Sequence, residues 1–294
     1  RASKMGGSQI YLKEGEQMKV NDLIKSVVIS SANDAAVVLA EAVAGSEEAF
    51  VAAMNKRATE LGMKTAHFEN TNGLDDTVTN HVLSARDIAI MSRELMKHKK
   101  ILEFSSTWMD TVRDGRFGLA NTNKLIRFYQ GATGLKTGST DSARYCISAT
   151  AEREGMELIA VVLKSPSGQQ RFEDAKALLN YGFSTYGLVH ASPEEPLPPV
   201  PVQLGAQGTV QPRVDPAEGL LLAEKSRLQG LEQTVTLPES AEAPVRQGDV
   251  LGTLTVTQNG ETVLEVPIRA AETVEKLTFG QMLLRLARTM CFCR

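Results

Sequence analysis

Cysteine and histidine are scarce in this chain, with three Cys and four His in 294 residues. Cys146, Cys291 and Cys293 provide neither a disulfide framework nor the two-pair spacing of a zinc site. Cys146 falls in an apolar strand and is expected as a buried thiol, while Cys291 and Cys293 sit at the terminus with no assigned role. His67, His81, His98 and His190 are scattered and form no His-Glu-x-x-His pair, so no metal and no cofactor are expected. A large charge of either sign is also missing. The formal net charge of -3 argues against a general nucleic-acid binder. No interior run approaches the ~20 apolar residues that span a bilayer. The start, Arg1-Ala2-Ser3-Lys4, has neither an initiator Met nor an apolar export segment, so an incomplete N-terminus is expected. What is present is 42% hydrophobic and 23% charged, a globular composition long enough for one large or two ordinary domains.

Ser8-Gln9-Ile10-Tyr11-Leu12 alternates like a strand and runs into a turn at Lys13-Glu14-Gly15-Glu16. Asn21 is placed to cap a helix carrying Leu23, Ile24, Val27 and Val28. Ser30-Ser31-Ala32-Asn33-Asp34 interrupts it, and a second apolar helix follows to Gly45. Ser46 caps a third helix ending at Gly62, with Glu47 and Glu48 in its first turn. Phe68 to Asp75 reads as a loop with a tight turn. Ser84-Ala85-Arg86-Asp87 is a capping box for a helix with Ile88, Met91, Leu95 and Met96, ended by Lys97 to Lys100. Arg86 and Asp87 are read as a cap and a buried ion pair, and His81 as structural. A strand is expected over 105–113. A hairpin of 143–152 and 156–164 turns around Arg153-Glu154-Gly155, and an amphipathic helix runs from about Gly168 to Gly182. Helices grouped around antiparallel strands indicate an α+β, three-layer domain over 1–187.

Five prolines between Ser192 and Pro201 form a semi-rigid linker. Short β runs follow, and Asn259-Gly260 joins Val250–Gln258 to Glu261–Ile268 as a hairpin. This predicts a small all-β domain over 197–273, or 188–273 with the linker. In the tail, 274–294, Phe279, Met282, Leu283, Leu286 and Met290 recur at helical spacing among Arg285, Arg288 and Arg294. Such a C-terminal amphipathic helix either packs on the β domain or lies in a membrane surface.

Gly134-Leu135-Lys136-Thr137-Gly138-Ser139-Thr140 places an ammonium group among hydroxyls and glycines at what reads as a strand edge. A free edge pairs with an extended peptide, and Gly138 allows a ligand close to the backbone. Lys136, Thr137 and Ser139 would hold the anionic end of that peptide. Taken alone, Lys-Thr-Gly is an ordinary turn triplet, Ser31 and Asn33 a helix break with a cap, and Arg171 a helix-surface charge.

Together these pieces resemble the low-molecular-weight penicillin-binding proteins, serine-type D-alanyl-D-alanine carboxypeptidases of the penicillin-binding-protein-5 type. The resemblance rests on Ser31-Ala32-Asn33-Asp34-Ala35-Ala36, on Asn72-Gly73-Leu74 followed by Ser84-Ala85-Arg86-Asp87, and on Asn121-Thr122-Asn123-Lys124-Leu125. It rests as well on Gly134 to Thr140, and on Arg171 with Leu178-Leu179-Asn180-Tyr181-Gly182-Phe183. It implies a penicillin-binding/β-lactamase-like transpeptidase fold, a β-rich second domain, a C-terminal membrane anchor and an exported protein on the outer face of the bacterial cytoplasmic membrane. It implies a peptidoglycan stem peptide ending in D-Ala-D-Ala and β-lactam antibiotics as ligands. Ser31 would transfer a proton to the leaving amine, Asn33 would hold the peptide, and Lys136 would stabilise the carboxylate. Thr137, Ser139 and Arg171 would bind that carboxylate, and the backbone after Gly138 would add an oxyanion donor. The family also uses a Ser-x-x-Lys nucleophile and base, and no serine in this sequence has Lys three residues on. In the family that helix lies N-terminal to the segment that begins here at Arg1. The expectation is a fragment that forms no acyl-enzyme. The competing readings are a non-catalytic peptidoglycan-binding relative and a β-lactamase.

Overall fold

The polar break at Ser31 divides two helices that share one core. In the computed structural model, which describes residues 1–292, these are α1 (Val20–Ser30) and α2 (Asn33–Ala44). Cys293 and Arg294 lie outside the described residues. Asn21 does not cap α1, because the helix starts at Val20 after Lys19 and Asn21 lies inside its first turn. Gly45 ends α2 at φ 83°, a conformation that favours glycine. Ser46 caps α3 (Glu47–Glu60), its Oγ accepting the Ala49 N–H at 3.1 Å. Leu23, Ile29 and Ala35 pack with Ile10, Leu12, Val112 and Leu119 in one buried cluster.

Ser8 to Leu12 do not form a strand. Their amides are taken by a side chain instead: the buried Asp34 carboxylate accepts from Ile10 N at 3.2 Å and from Leu12 N at 2.9 Å. Alternation identified the buried face correctly, with Ile10 and Leu12 inside and Tyr11 out. It could not show that the partner was a carboxylate rather than a neighbouring strand.

The Ser84–Asp87 capping box opens α4 (Ala85–Met96). Asp87 pairs with the hydroxyls of Thr65 and Ser84, and Arg86 is exposed, so the expected ion pair is replaced by hydroxyl donors. Those bonds, the Thr65 hydroxyl foremost, hold the Asp87 carboxyl below its usual range. Lys99 and Lys100 do not end a helix but begin α5 (Lys99–Ser105), which buries Phe104. The strand expected from residue 105 is accordingly short, β1 (Met109–Val112), and pairs antiparallel with β2 (Phe117–Ala120).

After α6 (Leu125–Phe128), the chain lays down β3 (Ala132–Thr140), β4 (Arg144–Arg153) and β5 (Met156–Ser165) as an antiparallel sheet in that order. Successive strand residues face opposite sides. On one side Ser148 meets Ser92 of α4 at 2.7 Å. On the other, Arg153 lies over the Phe183 ring and Tyr145 under Arg171, both from α7 (Gly168–Thr185). The sheet is therefore the middle of three layers. Gly182 allows close packing of α7, since a Cβ there would sit 2.5 Å from Leu158 Cδ1. Cys146 is half-buried and not enclosed; its Sγ donates to Ala143 O at 3.3 Å, beside the β3–β4 turn.

The chain divides into two compact units, Arg1–Phe183 and Ser184–Arg294. In the second, β6 (Tyr186–His190) pairs with β10 (Leu220–Glu224). β7 (Val200–Gln203) lies between β8 (Thr209–Val210) and β12 (Ala241–Glu242). β11 (Leu231–Thr236), β13 (Val250–Gln258), β14 (Glu261–Ala270) and β9 (Pro212–Val214) form a four-stranded sheet in that order. The β13–β14 hairpin turns at Asn259 and Gly260, both left-handed at φ 49° and 82°. Leu254, Val256, Val266 and Ile268 form its core. A helix, α8 (Phe279–Phe292), follows, with Phe279, Leu283, Leu284, Leu286 and Met290 exposed. Among the described residues no helix is long and apolar enough to cross a membrane.

Candidate active site

Ser31 closes α1 in the left-handed conformation, φ 60° and ψ 39°, with the Ala32 N–H returning to Ser26 O at 3.1 Å. Glycine normally occupies such a position, and a side chain there costs on the order of 1 kcal/mol. The strained turn aims the Ser31 hydroxyl at β3, where Lys136 Nζ donates to Oγ at 2.8 Å. Lys136 also donates to its neighbour's carbonyl, Thr137 O. Burial of the ammonium, with the Arg171 charge added to it, pulls Lys136 from the ordinary 10.5 to about 8. It is thus cationic at neutral pH yet close to giving up its proton. Because the ammonium occupies an acceptor site on Ser31 Oγ, the serine O–H remains available to a third group. That pair can relay a proton.

Thr137, adjacent on the strand, points the other way and donates to Thr122 Oγ1 at 2.7 Å. Thr122 N–H in turn donates to Ile29 O at 3.1 Å, capping a carbonyl in the last turn of α1. Asn123 Nδ2 donates to Gly134 O at 2.7 Å, and Asn121 Nδ2 to the carbonyls of Ser105 and Thr107. The loop 121–123 therefore fixes α1 and β3 against each other. β3 is the edge strand of its sheet, and Gly138 and Ser139 are exposed on it.

Asn33 is buried at 8% exposure, and its Nδ2 donates to Gly6 O at 2.9 Å. Its amide is thus engaged with the segment 6–8, whose Ser8 O also takes the Asn33 N–H at 2.8 Å. Arg171 lies behind the strand: Nη1 donates to Gly138 O and Cys146 O, each at 3.1 Å. It is braced on the Lys-Thr-Gly backbone, and its charge reaches Lys136 from there. Ser31, Asn33, Lys136, Thr137, Gly138, Ser139 and Arg171 are gathered around the end of α1 and the second half of β3.

Thr122, Asn123 and Asp34 belong to this framework although no role was read for them in the sequence. The Asn-Thr-Asn run was a visible signal, since three short polar side chains in a row favour side-chain-to-backbone bonds. Its partners, at Ile29, Gly134 and Thr137, are far away in sequence and left no local trace.

A Ser-x-Asn turn facing a Lys-Thr-Gly strand across a mixed α/β body defines a penicillin-binding-like domain. Residues 1–167 match the D-alanyl-D-alanine carboxypeptidase family, peptidase S11, and residues 199–276 match the C-terminal domain of penicillin-binding protein 5. The chain is 38% identical over 289 residues to D-alanyl-D-alanine carboxypeptidase DacF of Bacillus subtilis, covering 97% of this chain and 74% of that protein. It is 32% identical over 274 residues to DacC of Escherichia coli, covering 92% of this chain and 68% of that protein. Among solved structures, a peptidoglycan synthesis regulatory factor from Streptococcus pneumoniae superposes with a TM-score of 0.71 at 29% identity, over 91% of this chain and 80% of that one. Penicillin-binding protein D2 from Listeria monocytogenes, in its ampicillin-bound form, gives 0.57 at 34% identity, over 61% and 74%. The chain belongs to the D-alanyl-D-alanine carboxypeptidase family.

Proposed function

We propose that this chain supplies the substrate-holding half of a serine-type D-Ala-D-Ala carboxypeptidase. A peptidoglycan stem peptide ending in D-Ala-D-Ala lies along the exposed end of β3. Lys136, Thr137 and Ser139 take its carboxylate, Asn33 supports the peptide, and Ser31 passes a proton to the leaving amine. Arg171 acts through Gly138. The observation that carries the reading is the 2.8 Å contact between Lys136 Nζ and Ser31 Oγ, which joins two motifs 105 residues apart.

The acyl-enzyme step requires a nucleophilic serine with an adjacent base. The sequence Arg1–Arg294 contains no Ser-x-x-Lys, so these residues by themselves bind such a peptide or a β-lactam without being acylated. A second reading is a non-catalytic peptidoglycan-binding protein. Fluorescent penicillin incubated with the 294-residue chain should leave it unlabelled after denaturation; a covalent adduct would sink this assignment. If the coding sequence 5′ of Arg1 supplies Ser-x-x-Lys, the extended protein should label and should release D-Ala from a pentapeptide. If it does not, the non-catalytic reading holds.

The exposed apolar residues of α8 support attachment of an exported protein to the outer face of the membrane. Deleting residues 276–294 should abolish co-sedimentation with anionic lipid vesicles. Unchanged sedimentation would remove the anchor from the proposal.

A further inference from the structure

The loop 69–80, between α3 and α4, is built by its own side chains. Asn70, buried at 7% exposure, accepts the Gly73 N–H at 2.8 Å and donates to Leu74 O at 2.9 Å. Asn72 Oδ1 takes the Leu74 N–H at 3.0 Å, and Glu69 Oε2 takes the N–H groups of Thr79 and Asn80. Glu47, in the first turn of α3, anchors the loop through the N–H and hydroxyl of Thr71. Short polar side chains that bond the backbone in this way leave a loop few conformations.

The loop then crosses to the strand that carries Lys-Thr-Gly. Asp75 Oδ2 accepts the Ser142 N–H at 3.1 Å, in the β3–β4 turn. That bond, with the Thr140 hydroxyl after it, holds the Asp75 carboxyl below its usual range. The preceding residue, Leu74, reaches the other side of the site. A Cβ added to Gly7 would lie 3.5 Å from Leu74 Cδ2 and 2.7 Å from Asn33 Nδ2. Leu74 and Asp75 therefore span the distance from the Ser-x-Asn turn to the end of β3, where Gly138 and Ser139 are exposed.

We propose that Asp75 is a positioning residue for the peptide held on β3, its carboxylate latching the loop 69–80 to the β3–β4 turn so that Leu74 stands as a fixed wall beside Asn33. The inference rests on the proposed use of β3 by a peptide. Asp75 acts through the Ser142 N–H and through Leu74, without touching the reacting atoms. A backbone N–H on an ionised carboxylate is among the stronger hydrogen bonds. It sets the wall before the peptide arrives, so less ordering is left to binding.

The test compares Asp75→Ala with Asp75→Asn, whose amide oxygen still accepts the Ser142 N–H. In the ¹⁵N-labelled chain, water exchange of the Ser142 amide should accelerate by about tenfold in D75A and stay near wild type in D75N. Calorimetric titration with a peptide ending in D-Ala-D-Ala should follow the same order, with affinity about tenfold weaker in D75A and most of the loss recovered in D75N. The NMR spectrum away from the loop and the turn should match wild type in both variants. Unchanged Ser142 exchange in D75A overturns the latch. A latch lost with no change in peptide affinity overturns the positioning role and leaves the β3 reading intact. If the wild-type chain binds no peptide, the β3 reading itself fails and the positioning role falls with it.

Discussion

Lys136 and Ser31 are joined by a hydrogen bond of 2.8 Å, from a buried ammonium to a hydroxyl held on a left-handed turn. The bond draws on two strained features at once. The ammonium gives up hydration, and the serine takes a backbone conformation that glycine would hold more easily. Neither favours folding, and together they assemble a proton-relay pair.

The Lys136 charge should be readable as a titration. Folding lowers this group to about 8 while the unfolded chain keeps its proton up to 10.5. Binding of an anionic peptide end should therefore be full below pH 8 and fall away as pH rises through that value. The stability term has the opposite sense: between about 8 and 10.5 the unfolded state holds the extra proton, so stability rises with pH in that window. A ¹³Cε titration of Lys136 with a midpoint above 10 would contradict both statements. Lys136→Met should abolish the pH dependence of peptide binding and leave the melting temperature at pH 7 unchanged or higher, because it removes a desolvated charge.

Ser31→Gly should stabilise the protein while weakening the site. Relief of the left-handed conformation gives about 1 kcal/mol, or a few degrees in Tm. Ser31→Ala keeps the strain and gains nothing. Thermal unfolding of the two variants side by side checks this, and equal Tm values would show that the turn is not strained.

Asp34 should be among the least replaceable residues of the first unit. Its carboxylate accepts from the amides of Ile10, Leu12 and Ala35 and is fully buried. Asp34→Ala leaves buried N–H groups without acceptors and should cost about 2–4 kcal/mol. Hydrogen exchange at Ile10 and Leu12 should accelerate ahead of global unfolding. Urea denaturation together with exchange measures both effects.

Thr122→Val should loosen peptide binding more than it lowers stability, because it removes the acceptor for Thr137 Oγ1 while keeping the Thr122 N–H bond to Ile29 O. Thr122→Ser should restore affinity. Calorimetric titration with a D-Ala-D-Ala peptide decides, and equal affinities for the valine and serine variants would remove Thr122 from the site.

Gly134→Ala tests how tightly β3 is seated. A Cβ at Gly134 would lie 2.6 Å from Ser105 Oγ, so the strand or α5 must move. A loss of about 1–3 kcal/mol is expected, with peptide affinity falling in parallel. Full affinity at reduced stability would separate the seat of the strand from the site.

The elements with local signatures were legible in the sequence. Ser46 and the Ser84 box mark helix starts because short side-chain oxygens satisfy orphan N–H groups. Asn259-Gly260 marks a hairpin because its turn requires positive φ. Lys136-Thr137-Gly138 and Ser31-Ala32-Asn33 stood out as motifs. The misreadings share one cause. Ser8–Leu12 has the alternation of a strand, but its partner is Asp34. Lys97–Lys100 has the charge of a helix end, but Phe104 finds a core and a new helix starts. Cys146 sits in an apolar run, but near the end of its strand the thiol remains half-buried.

Composition, periodicity and caps by themselves determined the helices opened by Ser46 and Ser84, the hairpins at Glu154-Gly155 and Asn259-Gly260, and which motifs stood out. These follow from interactions over a few residues, the range in which hydrophobic spacing and backbone capping act. Only the tertiary structure decided that Lys136 meets Ser31, that Thr122 locks α1 to β3, and that Arg171 braces the carbonyls of Gly138 and Cys146. Those relationships depend on side chains many residues apart meeting at hydrogen-bond distance, and the low dielectric of that enclosure, not the residue types alone, gives Lys136 its altered proton affinity.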